Sequence, residues 1–463
     1  MGFTSKKQEE VTSEGLQELG LERVAQLVIE ECSSNSQFKQ RVQRAIAAVK
    51  EPKSLISLVN KQLAGLARGK KFYEARAASE FSDKLDEVRR AILNEVAPVD
   101  VEAAIDLSEK FLAMHGKIFE RADDSYGDIG TVYYQGVKDS AELYSRWGNC
   151  DRKQLADTVF ARYSKNSYGI YNRLIEDFGA VLGAEGLARL EEQLKNQIAG
   201  GEGAKMQRSA SRFDCIEGLL QVADARGDVD EYIAVVESYK GTPGDYQLLD
   251  IAERLLKAER FEEALNRLEL VEDASNRADR KRRLKIKALE GLGNAKKAQE
   301  IRIELFLASP FPSDFDECLK HAEDPEPLKE ELLEAVTSHR YPSTVLGFLT
   351  ELGEIERAAA LVLEHRDRWE GRSYYDLQPA AKRLQTDWPL EATILYRALT
   401  EDIVERARSK SYSHAVRYMK ALETLSPRID NWTDLPTHEA YFDRLREAHK
   451  RKRALWNKYD SKK

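Results

Sequence analysis

The chain has 463 residues, of which 42% are hydrophobic and 33% charged, with 12 prolines and a formal net charge of −8. This composition excludes a disordered chain and a proline- and glycine-rich β protein, and it suits amphipathic helices that each bury one stripe. The negative charge argues against a protein that binds nucleic acid over its whole surface, although a local basic patch is compatible with it.

The N-terminal part of the sequence has no targeting or membrane signal. The first ten residues lack the apolar core of a signal peptide, and no apolar run reaches the roughly 20 residues that cross a bilayer. We therefore expect a cytoplasmic protein without membrane contacts. Apolar residues then recur three and four apart, as in Val24, Leu27, Val28 and Cys32, which is the spacing of one helix face. This spacing continues along the chain and predicts an all-α fold.

An acidic cluster stands near residue 125. Asp123, Asp124 and Asp128 surround a glycine, and their oxygens could hold Mg²⁺ or Ca²⁺, although the spacing is not that of an EF-hand. The alternative, which the sequence favours, is that these aspartates cap the next helix and stabilise its positive end. Residues 126–134 are the one stretch whose pattern fits an extended segment.

Three glycines between residues 199 and 205 make a poor helix interior and a reasonable hinge. We therefore predict an N-terminal helical domain, residues 1–198, and a C-terminal helical array with a capping terminal helix, residues 206–463. The two are joined by a glycine-rich hinge at 199–205.

The C-terminal array contains a repeated pattern, a polar turn followed by a helix. Aligned on Tyr232, Ala264, Ala298 and Ala358, the first two steps of 32 and 34 residues match the tetratricopeptide period. The third step, of 60 residues, leaves room for an irregular helix pair. Single pairs cannot bury both faces, so they must stack. The expected architecture is an α-solenoid of stacked helical hairpins, tetratricopeptide-like in its C-terminal part, although the Trp and Gly positions of that signature are not filled.

Two basic runs occur in the array. Residues 277–287 contain four consecutive basic residues that could bind phosphates: Arg280, Lys281, Arg282 and Arg283. No aromatic residue is interleaved for stacking on bases, and the alternative is a solvated helix face paired with acidic neighbours. The second run, residues 444–453, has apolar neighbours such as Leu455 and Trp456, which favours a terminal helix that caps the array.

Residues 19–27, 118–128, 389–397 and 412–415 carry a resemblance to a known family. They are similar to an uncharacterised bacterial helical-repeat family, some members of which are fused to a SWIM-type zinc finger. The resemblance runs over most of the chain and implies a helical fold without a defined activity. Because the cysteine and histidine ligands of the SWIM finger are missing here, it implies no zinc site.

The search for catalytic motifs finds none. The four cysteines lie far apart, none in a Cys-x-x-Cys pair, and the seven histidines are scattered singly. There is no phosphate-binding loop and no His-Glu-x-x-His pair. We therefore expect reduced cysteines, no cofactor and a non-enzymatic role.

The leading functional hypothesis is a scaffold or adaptor that binds a protein partner on the surface of its helical repeats. Repeat position selects five residues for that surface: Tyr232, Tyr239, Tyr246, Arg254 and Arg267. The alternative is a nucleic-acid-associated subunit of a bacterial complex that uses the basic helix 277–287. A third hypothesis is a metal-dependent enzyme centred on the acidic cluster around residue 125.

Overall fold

A computed structural model describes residues 11–200, 211–273 and 277–461. Over these ranges the chain is all-α and contains no β-strand, which confirms the expected fold class. No helix in the same ranges is long and apolar enough to span a membrane.

The chain forms two compact units, residues 1–242 and 243–463. The helices of the first unit are α1 (Ser13–Glu18), α2 (Leu21–Ser34), α3 (Ser36–Lys50), α4 (Pro52–Arg68), α5 (Ala75–Ala91), α6 (Val101–Ala113), α7 (His115–Phe119), α8 (Asp128–Trp147), α9 (Arg152–Tyr163), α10 (Leu174–Gly200), α11 (Arg212–Arg226) and α12 (Val229–Lys240). A π-helical segment, Ile92–Val96, follows α5, and α10 is kinked at Gly183.

The helices of the second unit are α13 (Asp245–Lys257), α14 (Phe261–Glu269), α15 (Ala278–Gly291), α16 (Ala295–Ala308), α17 (Pro312–Lys320), α18 (Pro325–Thr337), α19 (Pro342–Leu352), α20 (Ile355–Glu364), α21 (Tyr374–Leu384), α22 (Pro389–Glu405), α23 (Tyr412–Leu425), α24 (His438–Ala448) and α25 (Arg453–Asp460). Short 3₁₀ segments precede α21 and lie on both sides of α23.

The prediction of an extended segment at residues 126–134 is wrong. Helix α8 begins at Asp128, because Ile129, Val132 and Tyr133 are buried at the three- and four-residue spacing of a helix face. The helix therefore covers all but the first two residues of this stretch, which belong to the turn before it.

The structure places the boundary between the units at residues 242 and 243. Helices α10 and α11, on either side of the predicted hinge at 199–205, both belong to the first unit and pack against each other. A Cβ at Gly179 would lie 2.7 Å from that of Ala225, so glycine permits this close approach. Residues 201–205 lie outside the described residues, and a hinge there stays a prediction.

A buried arginine organises three helices of the first unit. Arg44 of α3 is 1% exposed. Its Nη2 donates to Glu87 Oε1 of α5 at 3.0 Å, and its Nε donates to Glu95 Oε2 of the π-helical segment at 3.0 Å. Its Nη1 donates to Gln62 Oε1 of α4 at 3.3 Å. A buried charge is tolerated only when paired and hydrogen-bonded in this way.

The second unit is an array of sequentially stacked helices. From α15 to α23 each helix packs against the next, and α13, α16, α17, α19 and α20 also contact the next helix but one. One hydrophobic core runs from Phe306 in α16 to Tyr459 in α25. Each helix pair therefore buries its faces against its neighbours, as in an α-solenoid.

The repeated sequence pattern corresponds to one kind of turn. Gly227, Glu259, Gly293 and Gly353 all have positive φ, between 58° and 88°. In each turn the next residue donates its backbone N–H to the carbonyl five residues earlier, at 2.8–3.0 Å, which is the hydrogen bond of a Schellman cap. The residue five positions after each of these is buried in the following helix, which explains why the sequence pattern repeats. These buried residues are Tyr232, Ala264, Ala298 and Ala358.

The C-terminal helices pack onto this array. Leu445 of α24 and Leu455, Trp456 and Tyr459 of α25 are buried in the second unit's core, and α25 contacts α23. The Tyr459 hydroxyl also donates to Glu423 of α23. The apolar neighbours of the basic run thus place the terminal helices over the end of the array.

All four cysteines are free. Burial raises the pKa of both Cys215 and Cys318 to about 11, so these thiols are protonated at neutral pH. A buried protonated thiol behaves as a small apolar side chain rather than as a nucleophile.

Candidate binding groove

A groove of about 600 Å³ lies across α17, α19 and α21 in the second unit. These are the first helices of three consecutive packed pairs, so the groove belongs to one face of the array. Its volume falls within the range of roughly 300–1,000 Å³ that is typical of ligand sites. The residues that line it are Pro310, Phe311, Pro312, Thr344, Gly347, Phe348, Thr350, Glu351, Gly353, Tyr375, Asp376, Pro379 and Arg383.

Two prolines present an aromatic ring at one end of the groove. Pro312 is the first residue of α17, where its missing N–H costs no hydrogen bond and its fixed φ suits the helix. Phe311 precedes it in an extended conformation and is 55% exposed. Such local stiffness holds the exposed ring in place without a large entropic cost on binding.

A second pair of aromatic rings stands at the start of α21. Tyr374 and Tyr375 have ring centroids 4.1 Å apart and are both exposed, and Tyr375 lines the groove. Exposed aromatic rings beside a concavity are typical of interaction sites, since tyrosine and phenylalanine contribute large contact areas.

A carboxylate without a partner in the described residues lines the same groove. Asp376, in the first turn of α21, makes no hydrogen bond or ion pair within the described part of the chain. A Cβ on Gly347 of α19 would lie only 2.8 Å from Asp376 Oδ1, so the glycine makes room for the carboxylate. Partial burial raises the pKa of Asp376. A half-buried negative charge without a partner is a binding group for a cation.

Two further charged residues line the groove. Glu351 of α19 and Arg383 of α21 are exposed, and neither forms an ion pair within the described residues. With Asp376 they give the groove two negative charges and one positive charge. The groove therefore combines apolar and aromatic walls with a small excess of negative charge.

The residues predicted to bind a partner are divided between the two units. Tyr232 and Tyr239 belong to the first unit, whereas Tyr246, Arg254 and Arg267 belong to the second. Tyr232 is 5% exposed, which contradicts its prediction as a surface residue, because the repeat places it against the preceding helix. Tyr239, Arg254 and Arg267 are half-buried, and Arg254 donates to the Asp250 carbonyl.

Tyr246 is the exposed member of that set, at 56%. Its ring lies under the guanidinium groups of Arg277 and Arg280, whose Cζ atoms are 5.7 and 5.8 Å from the ring centroid. The tyrosine therefore already serves as a cation–π partner of the basic helix.

The charges of the basic helix α15 are taken up by ion pairs. Arg280 bonds to Asp250 and Glu253 of α13, and Arg283 forms a two-pronged pair with Asp314 of α17, both distances being 2.9 Å. Lys281 is 4% exposed, and its Nζ donates to the Val271 carbonyl and to Asp273. Arg282 pairs with Asp279 on its own helix. The basic run therefore connects helices and leaves little free positive charge.

We expect Arg280→Ala to destabilise the second unit by about 1–2 kcal/mol, since it removes two charge-assisted hydrogen bonds from a side chain that is 32% exposed. Arg282→Ala, whose pair is confined to one helix, should change stability by less than about 0.5 kcal/mol. Urea unfolding of the full chain, followed by circular dichroism, measures both. Loss of salt-sensitive binding to duplex DNA in Arg280→Ala, with stability unchanged, would instead support the nucleic-acid hypothesis.

The acidic cluster caps a helix. Asp124 accepts hydrogen bonds from the backbone N–H groups of Ile129 and Gly130 at 2.9 Å each, and Asp123 accepts from Ser125 N at 3.1 Å. Asp128 is the first residue of α8. No group of three or more His, Cys, Asp or Glu side chains within the described ranges is arranged to hold a metal ion. The geometry agrees with the capping alternative.

The sequence analysis did not identify Phe311, Gly347, Tyr375 or Asp376 as site residues. A local signal existed only for Phe311, which stands between two prolines, and for the Tyr374–Tyr375 pair. Nothing in the sequence indicates that Gly347 faces Asp376, because that contact depends on how α19 packs against α21.

Comparison with known proteins identifies a family without assigning an activity. No curated protein matches the sequence. A solved structure described as a circular tandem repeat protein with novel repeat topology and enhanced subunit contact surfaces aligns over 96% of this chain and 94% of its own, with 16% identity and a TM-score of 0.21. A family model matches residues 7–458, and the chain therefore belongs to DUF6880, a family of unknown function.

Proposed function

We propose that this chain is a non-enzymatic scaffold that holds a peptide segment of a protein partner in the groove formed by α17, α19 and α21. One observation carries the proposal: the half-buried carboxylate of Asp376, which has no partner within the described ranges, lies in a groove with exposed aromatic rings at Phe311 and Tyr375. Aromatic rings supply contact area, and a desolvated carboxylate supplies directional recognition of a cation.

The groove chemistry selects an extended peptide with a basic residue beside apolar ones. A lysine or arginine side chain would pair with Asp376, and its aliphatic stem would lie along the aromatic walls. Apolar or proline residues next to it fit the surface between Phe311 and Tyr375, since proline-rich segments dock on aromatic-lined grooves. Glu351 and Arg383 also line the groove, and together with Asp376 they leave it with an excess of negative charge. This excess favours the same cationic ligand.

We further propose that the second unit is tetratricopeptide-like. The three equivalent Schellman turns in this unit, at Glu259, Gly293 and Gly353, and the step of 34 residues between the first two support this. Peptide binding on one face suits such an array. The relation to proteins that carry a SWIM-type zinc finger belongs to the same proposal. Cytoplasmic location is also proposed, since the groove would meet peptide partners there.

Binding to an array of ten-residue peptides tests the proposed groove. We expect the full chain to retain peptides that place Lys or Arg beside Leu, Phe or Pro. Phe311→Ala and Asp376→Asn should each weaken binding of the best peptide by about tenfold or more, as expected for loss of an aromatic anchor or a charged pair. Phe72→Ala and Asp316→Asn change exposed residues of the same types elsewhere and should leave affinity unchanged.

Asp376→Asn should also stabilise the free protein at neutral pH. Because burial raises the folded-state pKa of Asp376 above its unfolded value, ionisation costs stability. That cost is absent below the unfolded pKa of about 3.9, and it develops fully above the folded pKa. We expect Tm to rise by about 1–2 °C near pH 7 and to be unchanged near pH 3. Calorimetry at both pH values measures this, and an equal rise at both would refute the electrostatic cause.

A further inference from the structure

Exposed apolar side chains are concentrated at one end of the first unit. Of the 21 large hydrophobic residues that are exposed in the described ranges, eight lie between residues 11 and 49. Apart from Phe311, Tyr374 and Tyr375 at the groove, the others are spread along the chain, and single exposed apolar residues are common on protein surfaces. A concentration of this kind marks a surface that is covered in the functional state.

Helix α2 has an apolar surface wider than its neighbour covers. At 100° per residue, its apolar residues from Leu27 through Val24 and Leu21 to Ile29 span an arc of about 200°. The helix packs on α3, yet none of its residues is buried. Leu21 and Ile29 are 86% and 67% exposed. Packing on α3 thus covers only part of the apolar face of α2.

Helix α3 has one buried face and one exposed apolar face. Arg44 and Ala47 are buried against the rest of the unit. Ile46 and Val49, which point away from them, are 50% and 88% exposed. The exposed apolar residues of α2 and α3 belong to two helices that pack against each other, and we refer to them together as the α2–α3 surface.

The charges beside this surface identify its partner. On α2, Glu22 and Glu30 are exposed and form no ion pair within the described residues. On α3, the exposed and likewise unpaired side chains on the side of Ile46 are basic: Lys39 and Lys50. Arg23 of α2 is also exposed and bonds to Gln26, but the acidic side chains outnumber it. The net charge is therefore negative along α2 and positive along α3. A two-fold axis parallel to the helix pair places α2 of one copy opposite α3 of its partner, and in this arrangement the surface is complementary to itself.

We infer that the α2–α3 surface is an isologous interface between two copies of this chain. In the dimer, α2 of each protomer lies against α3 of the other, which buries Ile29, Ile46 and Val49 and pairs the acidic residues with the basic ones. The interface is remote in sequence from the peptide groove, and one dimer presents two grooves. Two linked grooves would increase the avidity for a partner that carries two peptide segments.

A charge-swap experiment on the full chain tests this inference. The first variant combines Glu22→Lys with Glu30→Lys, and the second combines Lys39→Glu with Lys50→Glu. Sedimentation velocity between about 1 and 100 µM covers the affinities of ordinary homodimers. We expect the unchanged protein to be dimeric and each variant alone to dissociate at least about tenfold more readily, because like charges face each other. An equimolar mixture of both variants should regain the dimer.

A matched pair of apolar substitutions provides the control. Ile29→Glu, at 67% exposure, should weaken dimerisation by at least about tenfold, since it places a charge in the apolar centre of the interface. Leu270→Glu, at 64% exposure in the second unit, should leave it unchanged. Circular dichroism confirms that both variants fold. An unchanged chain that stays monomeric at about 100 µM would overturn the inference, as would a dimer that either charge variant forms alone with unchanged affinity.

Discussion

Replacement of Arg44 by alanine is expected to destabilise the first unit by about 3 kcal/mol or more. The arginine is 1% exposed, and its loss leaves Glu87 and Glu95, whose side chains are 18% and 32% exposed, without their cation. Breaking one side of a buried ion pair costs more than the pair contributes, because the remaining charges lose their partner and stay desolvated. Denaturant unfolding of the full chain, with the change assigned to the first unit's transition, measures this loss.

Two variants distinguish lost pairing from lost packing at this position. Arg41→Ala, on the same helix but exposed and without an ion pair in the described residues, should alter stability by less than about 0.5 kcal/mol. Arg44→Met combined with Glu87→Gln keeps side-chain volume and removes one uncompensated charge, so it should recover a substantial part of the loss. Equal stability of Arg44→Ala and the double variant would show that packing alone explains the effect.

Replacement of Phe315 by alanine is expected to destabilise the second unit by about 3–5 kcal/mol. Phe315 of α17 is 1% exposed and lies with Phe306 and Phe348 in a triad whose ring centroids are 5.2–5.5 Å apart. Its removal opens a cavity and also breaks a tilted aromatic contact with Phe306 and an edge-type contact with Phe348. The loss of these contacts adds to the cost of losing the buried apolar surface. Thermal and denaturant unfolding of the second unit measure the change.

Phe311→Ala is the natural control for Phe315→Ala, because the two residues are four apart and have opposite exposure. Phe311 is 55% exposed, so its replacement by alanine should lower the free energy of unfolding by less than about 1 kcal/mol. It should nevertheless remove most of the peptide affinity, whereas Phe315→Ala should weaken binding only when the unit begins to unfold. A Phe311→Ala protein that loses stability as much as Phe315→Ala would contradict the assignment of its ring to a binding surface.

Much of the fold follows from local sequence patterns. The three- and four-residue spacing of residues such as Val24 and Val28 indicates helices, because each helix face repeats every 3.6 residues whatever lies beyond it. The repeated turns could also be recognised, since Gly227, Gly293 and Gly353 occupy left-handed positions that favour glycine. Glu259 occupies the equivalent position without being glycine. Its turn could therefore be assigned to the repeat only by aligning the surrounding sequence pattern.

The candidate site could not be derived in this way. A run of basic residues such as Arg280 to Arg283 predicts a positive surface only if its charges stay free, and here partners on α13 and α17 take them up. Similarly, repeat position alone selected Tyr232 as a surface residue, although the packing of its helix buries it.

By itself, therefore, the sequence determined the all-α class, the stacked pairs and the turns between them, since these depend on periodicity and on backbone preferences within a few residues. Only the tertiary structure decided which charges are paired and which stay free. Arg44 reaches Glu87 and Glu95, and Asp376 reaches no cation among the residues that the structure describes, because helix packing determines which side chains meet. Side-chain pairing across helices depends on distances that no local pattern specifies, and both proposed binding surfaces arise at that level.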